Sequence, residues 1–144
     1  MRHYADSSFL VSCYLADAHT PQAQAHLTTA RVPLVFTALH RLETQNAFRL
    51  GVFRGLFTNL QANAAWLNLE ADLKFGRLVW RDIKWQAAFR AANRLSEKHS
   101  SVIGVRSLDI LHIATAFSIG ANEILSFDAR QRALAAAVGL NVSP

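Results

Sequence analysis

The sequence is poor in cysteine, proline, glycine and charge. Its single cysteine, Cys13, has no partner within the chain, so a disulfide-stapled scaffold is excluded. Three prolines and six glycines in 144 residues, without any repeat or low-complexity tract, leave no candidate linker, and we predict one domain over residues 1–144. Charged residues make up 17% and hydrophobic residues 51%, which excludes a disordered chain and suffices for a packed core.

Long hydrophobic runs are absent as well. The most apolar stretch, residues 110–126, is interrupted by His112, Asn122 and Glu123 and is too polar for a membrane-spanning helix. Asp6 breaks the N-terminal region where a signal peptide requires a continuous apolar segment. Because a lone thiol fits a reducing compartment, we predict a soluble cytoplasmic protein with no membrane partner.

Acidic residues are outnumbered by basic ones. The chain has 15 Lys and Arg against 10 Asp and Glu, which gives a net charge of +5 and a pI near 10.1. This balance favours an anionic partner, nucleic acid first, although charge alone names no function. Since the acids are so few, the position of each one is informative.

Short apolar runs alternate with patterns of helical period along the chain. Strands separated by helices are typical of an α/β domain with a mainly parallel sheet, whose sites form at the carboxyl ends of the strands. We predict strands at residues 2–5, 32–36, 78–80, 123–127 and 139–142. We predict helices, the dominant element, at residues 8–15, 21–29, 38–53, 85–99, 107–118 and 129–138, and one that includes residues 60–71 and is stopped by Gly76. Ser107 and Asp128 are the predicted N-caps of the last two helices.

Four of the ten acids stand at positions that suggest chemistry. Asp6 and Asp128 end predicted strands, whereas Asp109 lies in the first turn of a helix that is apolar nearly all round. Each of these three also has a purely structural explanation, because Asp is favoured as an N-cap and in a first turn. His112, on the same helix as Asp109, could be a base or a metal ligand, but a core histidine bonded to a neighbour is the simpler interpretation.

Glu43 is harder than the three aspartates to explain by a structural role alone. It falls on the predicted apolar stripe of the helix at 38–53, where an unpaired carboxylate is costly. That stripe comprises Leu39, Leu42, Ala47 and Leu50, and the stripe of the next helix comprises Leu60, Ala64, Leu67 and Ala71. Two strand-end carboxylates and two helix-borne ones could therefore converge on one cleft. Carboxylates so close together raise one another's pKa, and a hard divalent cation such as Mg²⁺ or Mn²⁺ resolves that conflict.

Four segments of the chain resemble, in the family's order, the PIN-domain ribonucleases, and among them the VapC-type toxins of bacterial toxin–antitoxin pairs. The segments are YADSSFL at 4–10, LETQNA at 42–47, SLDILHIATA at 107–116 and LSFDAR at 125–130. The resemblance implies a three-layer α/β/α sandwich with a short, mainly parallel central sheet. It also implies an acidic cleft that binds Mg²⁺ or Mn²⁺ and hydrolyses RNA with metal-activated water, so the expected protein is a metal-dependent endoribonuclease.

Matched to the family's pattern, Asp6, Glu43 and Asp109 correspond to its acidic metal ligands, and Asp128 to a fourth, more variable catalytic acid. The small polar residues beside the site are expected to be Ser7, Asn46 and Ser126. Basic residues that flank the predicted cleft, and are therefore RNA-binding candidates, are Arg106, Arg130 and Arg132. The resemblance further implies a homodimer and inhibition by a cognate antitoxin protein.

A second interpretation stays open at this point. The same fold could be a catalytically silent module that binds RNA or protein, with its acids serving only as helix caps. The sequence lacks the glycine-rich phosphate loop of nucleotide-using enzymes and the Gly-x-Ser-x-Gly motif of serine hydrolases. Other enzyme classes therefore fit less well than a nuclease.

Overall fold

The structure, a computed structural model, describes residues 3–30 and 33–144. Within those residues the strands are β1 (His3–Ala5), β2 (Leu34–Phe36), β3 (Leu78–Trp80), β4 (Glu123–Leu125) and β5 (Asn141–Ser143). The helices are α1 (Ser7–Tyr14), α2 (Thr20–Ala30), α3 (Ala38–Phe53), α4 (Asn59–Lys74), α5 (Trp85–Ile103), α6 (Ser107–Ser118) and α7 (Ala129–Ala137). The predicted α/β class, with predominant helix and short parallel strands, is confirmed. Arg2 and Val32, which belong to predicted strands, lie outside the described residues.

The chain groups into two compact units, and the predicted single domain stays a prediction. One unit, the 82–144 unit, consists of the chain up to Asp6 together with Asp82–Pro144, and the other is Ser7–Arg81. In the 82–144 unit, β4 lies between β1 and β5, and both neighbours run parallel to it. Ala5 is in register with Leu125, so the chain leaves β1 and β4 at the same edge of the sheet. Helices α5, α6 and α7 pack on one another in this unit.

The Ser7–Arg81 unit contains a second parallel pair, β2 with β3, and the helices α1 to α4. Gly51 on α3 faces the ring of Phe57 so closely that a Cβ placed there would lie 2.4 Å from a ring carbon. A side chain at position 51 would therefore displace the aromatic ring, which explains why glycine stands inside a helix that it otherwise weakens.

Three predicted helix ends can be compared with the structure. Asp128 caps α7 as predicted, since its carboxylate accepts hydrogen bonds from the backbone N–H groups of Arg130 and Gln131. Ser107 is not the cap of α6: Arg106 has the extended backbone of an N-cap, and its carbonyl accepts from the N–H of Ile110 at 3.1 Å. The fifth helix also continues past the predicted end near residue 99, because only Gly104, with φ of +73°, provides the left-handed residue that ends it.

The predicted apolar stripes of α3 and α4 are wrong. Leu42 and Leu60 are 66% and 80% exposed, although Leu39 of the predicted α3 stripe is buried. The buried residues also include His40, Thr44 and Phe48 on α3, and Ala62, Ala65 and Leu69 on α4. Burial of His40 is possible because its Nδ1 accepts a hydrogen bond from the N–H of Thr37, and burial of Thr44 because its hydroxyl donates to the carbonyl of His40. The packed faces thus combine small or hydrogen-bonded residues with a few large apolar ones, Phe48 and Leu69 among them.

The core of the 82–144 unit includes a buried polar pair. His112 is 2% exposed, and its Nδ1 lies 2.7 Å from the hydroxyl of Tyr4 on β1. The interpretation of His112 as a core histidine bonded to a neighbour is thus confirmed. Among the described residues, no helix is both long and apolar enough to cross a membrane.

Candidate functional site

The aspartate that follows β1 is held by the residue that follows β4. Asp6 is 2% exposed, and its N–H donates to the carbonyl of Leu125 at 2.9 Å, which extends the pairing of the two strands. The hydroxyl of Ser126 donates to Oδ2 of Asp6 at 2.5 Å. This hydrogen bond fixes the direction of the Asp6 carboxylate.

Ser126 also connects Asp6 to the start of α7. Its Oγ accepts a hydrogen bond from the N–H of Asp128 at 3.1 Å and lies 3.3 Å from Oε1 of Gln131. The amide nitrogen of Gln131 in turn donates to the backbone carbonyl of Asp109 at 3.3 Å. One hydrogen-bonded network therefore contains three of the predicted acids, Asp6, Asp109 and Asp128.

Asp109 and Asp128 both face the guanidinium group of Arg106. Nε of Arg106 lies 2.9 Å from Oδ2 of Asp109, and Nη2 lies 3.5 Å from Oδ1 of the same carboxylate. The same Nη2 lies 3.6 Å from Oδ2 of Asp128, whose Oδ1 caps α7. Asp109 is buried, so the pairing offsets the cost of holding its charge away from water.

The remaining predicted residues of the site belong to the Ser7–Arg81 unit. Glu43 is half-buried on α3, beside the buried face instead of within it, and Asn46 is exposed one turn further along. Ser7 is the buried first residue of α1. The structure thus joins Asp6, Asp109, Asp128 and Ser126, while the part of Glu43, Asn46 and Ser7 in the site stays a prediction.

The three arginines chosen as RNA-binding candidates differ in what they contact. Arg132 donates from Nη1 to the backbone carbonyls of Ser126, at 2.8 Å, and Pro144, at 2.9 Å, so this nitrogen fixes the segment that carries Ser126. Arg106 contacts the two carboxylates described above. Arg130 is exposed at the start of α7. Their role toward RNA stays a prediction.

Gln131 is the member of the network that sequence reasoning missed. It is 1% exposed and bonds both Ser126 and the backbone of Asp109, so it positions groups without being a candidate ligand itself. A signal was present, because Gln131 stands three residues after the capping Asp128, which is the spacing of a capping box. The spacing marks a helix start, but it does not reveal the long-range bond to Asp109.

Two other groups that could act as nucleophiles are held protonated. Burial, with smaller contributions from Asp17 and Asp72, raises the pKa of the Cys13 thiol to about 12. Burial and a 2.7 Å hydrogen bond to Asp72 raise the pKa of Tyr14 above its ordinary range. A thiol attacks as its thiolate, so Cys13 is unsuited to nucleophilic catalysis at neutral pH.

The donor set of the network fits a hard divalent cation. Asp6 enters the network through its carboxylate, whereas Asp109 and Asp128 enter it through backbone groups and direct their carboxylates to Arg106. Three carboxylates against one guanidinium leave a net negative charge. Carboxylate oxygens are the ligands that Mg²⁺ and Mn²⁺ prefer. Asp6, Asp109 and the Oδ2 atom of Asp128 are therefore the residues of this unit that could hold such an ion.

Fold and site together define an α/β protein with an acidic centre at the carboxyl edge of a parallel sheet. The family model of the PIN domain matches residues 4–137, which shows that the chain belongs to the PIN domain family. Members of this family are generally nucleases that use divalent metals. The resemblance noted in the sequence is thereby confirmed.

A solved structure and the curated proteins were also compared with the chain. The crystal structure of FitAcB from Neisseria gonorrhoeae superposes with a TM-score of 0.60, over 99% of this chain and 96% of that chain, at 16% identity. At such low identity the likeness concerns the fold alone. No curated protein matches the chain significantly.

Proposed function

We propose that this PIN domain is a metal-dependent endoribonuclease of the VapC toxin type, which hydrolyses phosphodiester bonds of RNA with Mg²⁺ or Mn²⁺. The observation that carries the proposal is the network in which Ser126 and Gln131 connect Asp6, Asp109 and Asp128. Asp6 is 2% exposed directly after β1, and burial of a charge is costly unless the charge is used, as it would be by a bound cation.

In this mechanism Asp6, Glu43 and Asp109 would hold the ion, and Asp128 would complete the site or orient the attacking water. A bound divalent ion lowers the pKa of water and stabilises the negative charge that develops on the scissile phosphate. Ser126 keeps the Asp6 carboxylate in one direction through its hydroxyl, and Gln131 holds the backbone at Asp109. Arg130 is exposed and would bind RNA phosphate, which Arg contacts in bidentate fashion.

The competing function is a silent binding module on the same fold. It is favoured by Asp128, whose Oδ1 already accepts two backbone hydrogen bonds, and by Arg106, which already neutralises part of the acid cluster. Neither contact involves Asp6, whose Oδ2 accepts a hydrogen bond from Ser126, a residue of a different strand end. We therefore rank the nuclease first.

The proposal includes a partner protein and a second copy of the chain. Large apolar side chains are exposed in the Ser7–Arg81 unit, as expected of a surface that another protein covers. The most exposed of them, each above 60%, are Leu42, Phe53, Leu56, Leu60, Leu67 and Phe75. We assign them to contacts with an antitoxin or in a homodimer, and we place the protein in the cytoplasm, where RNA is available.

Cleavage of RNA is the direct test of this function. We expect purified protein to cleave a single-stranded RNA of mixed sequence with Mg²⁺ or Mn²⁺, and to lose that activity when EDTA is in excess. Excess metal added back to the same sample should restore cleavage, and a DNA strand of identical sequence serves as the substrate control. Cleavage that continues in EDTA, or binding of RNA without any cleavage in either metal, would contradict the proposal.

A further inference from the structure

Arg106 places a positive charge on the carboxylate oxygens that the proposed metal would use. Its Nε and Nη2 face both oxygens of Asp109, at 2.9 and 3.5 Å, and Nη2 also faces Oδ2 of Asp128 at 3.6 Å. The fork of the guanidinium thus spans two of the acids. A cation bound to the same oxygens would occupy the position of the guanidinium.

The side chain of Arg106 can leave this position without disturbing the core. It is 66% exposed, whereas the side chains of Asp109 and Asp128 are 12% and 31% exposed, so the guanidinium approaches the acids from the solvent. The backbone of Arg106 is fixed separately, because its carbonyl accepts the hydrogen bond from Ile110 that begins α6. Only side-chain torsions have to change.

We propose that Arg106 is an exchangeable counter-cation, which neutralises Asp109 and Asp128 in the metal-free protein and competes with the divalent ion for them. The exchange breaks no covalent bond: the ion gives up part of its water shell, and the guanidinium returns to water. Arg106 thereby sets the metal concentration at which the site fills. The inference rests on the proposed metal site but concerns a residue that is not one of its ligands.

Calorimetric titration of the metal-free protein with Mn²⁺ tests the competition. We expect Arg106→Gln to bind Mn²⁺ about fivefold more tightly than wild type, the effect of losing one partly exposed, charge-assisted pair. Arg106→Lys keeps the positive charge but lacks the forked guanidinium, so its Mn²⁺ affinity should lie between those of wild type and Arg106→Gln. Arg130→Gln is the matched control, because it removes the same charge from an exposed site in the same unit and should change the affinity less.

Thermal unfolding in EDTA gives a second measurement. Without metal, the Arg106→Gln protein should unfold at a lower temperature than wild type, because the buried Asp109 loses its partner. Mn²⁺ should raise the thermal midpoint of Arg106→Gln by more than it raises that of wild type. Equal or weaker Mn²⁺ binding by Arg106→Gln, with clear binding by wild type, would overturn this proposal alone. Absence of Mn²⁺ binding in wild type and in every variant would overturn the metal site and the competition together.

Discussion

Asp6→Asn is expected to lower the rate of RNA cleavage by about a thousandfold, because losing about 4 kcal/mol of transition-state stabilisation has that effect. The substitution removes the charge that would hold the ion, yet it keeps the size of the side chain and an oxygen that can accept from Ser126. We therefore expect a folded protein with a thermal midpoint close to that of wild type in EDTA. Cleavage rates at saturating Mn²⁺ measure the effect.

The rate of RNA cleavage also tests Glu43, the proposed ligand from the Ser7–Arg81 unit. Glu43→Gln should cause a loss of similar size, although α3 supplies this residue from the Ser7–Arg81 unit. Glu97→Gln is the matched control, since it makes the same carboxylate-to-amide change on an exposed position of α5 and should leave cleavage unchanged. Cleavage at the wild-type rate by a folded Asp6→Asn protein would show that the acids serve as structural groups only.

Ile124→Ala is expected to destabilise the protein by about 3 kcal/mol, as deletion of a buried aliphatic side chain does. Ile124 is fully buried at the centre of β4, the strand that pairs on both sides and carries Ser126 at its end. For a chain of this length the thermal midpoint should fall by about 6–12 °C. Calorimetric unfolding of wild type and variant in the same buffer measures the shift.

Two variants separate core packing from a general effect of shortening a side chain. Ile124→Val should cost about 1 kcal/mol, because it removes a single methyl group from the same position. Val102→Ala, at a side chain that is 84% exposed on α5, should shift the midpoint very little. If Ile124→Ala and Val102→Ala had equal effects, β4 would not be the centre of a packed unit.

Local signals in the sequence sufficed for much of the fold. The bounds of α3 and β3 are as predicted, since both are marked by turn and capping residues in the adjacent sequence. Burial was harder to predict: Leu42 and Leu60 are exposed against expectation, while the packed faces include the polar His40 and Thr44. Which face of a helix is buried depends on neighbours distant in the sequence. It also depends on hydrogen bonds that offset the cost of removing polar side chains from water.

The site, like the fold, could be predicted from the sequence only in part. Asp6 and Ser126 meet because β1 and β4 are parallel neighbours in register. The alternating strands and helices predicted a parallel sheet, but not which strands pair. The contacts of Gln131 and Arg106 depend on side-chain geometry between separate elements, and no spacing predicts them. Residue types and strand ends therefore predicted the acids, but not the groups that position or neutralise them.

Anomalous diffraction from a crystal of the protein soaked in Mn²⁺ is the most direct test of the central claim, the divalent-metal centre. We expect one or two strong peaks at the manganese edge, within bonding distance of carboxylate oxygens of Asp6 and Asp109, with Glu43 as a further ligand and the guanidinium of Arg106 displaced. Well-occupied peaks elsewhere on the molecule, with Arg106 still paired to Asp109 and Asp128, would contradict it.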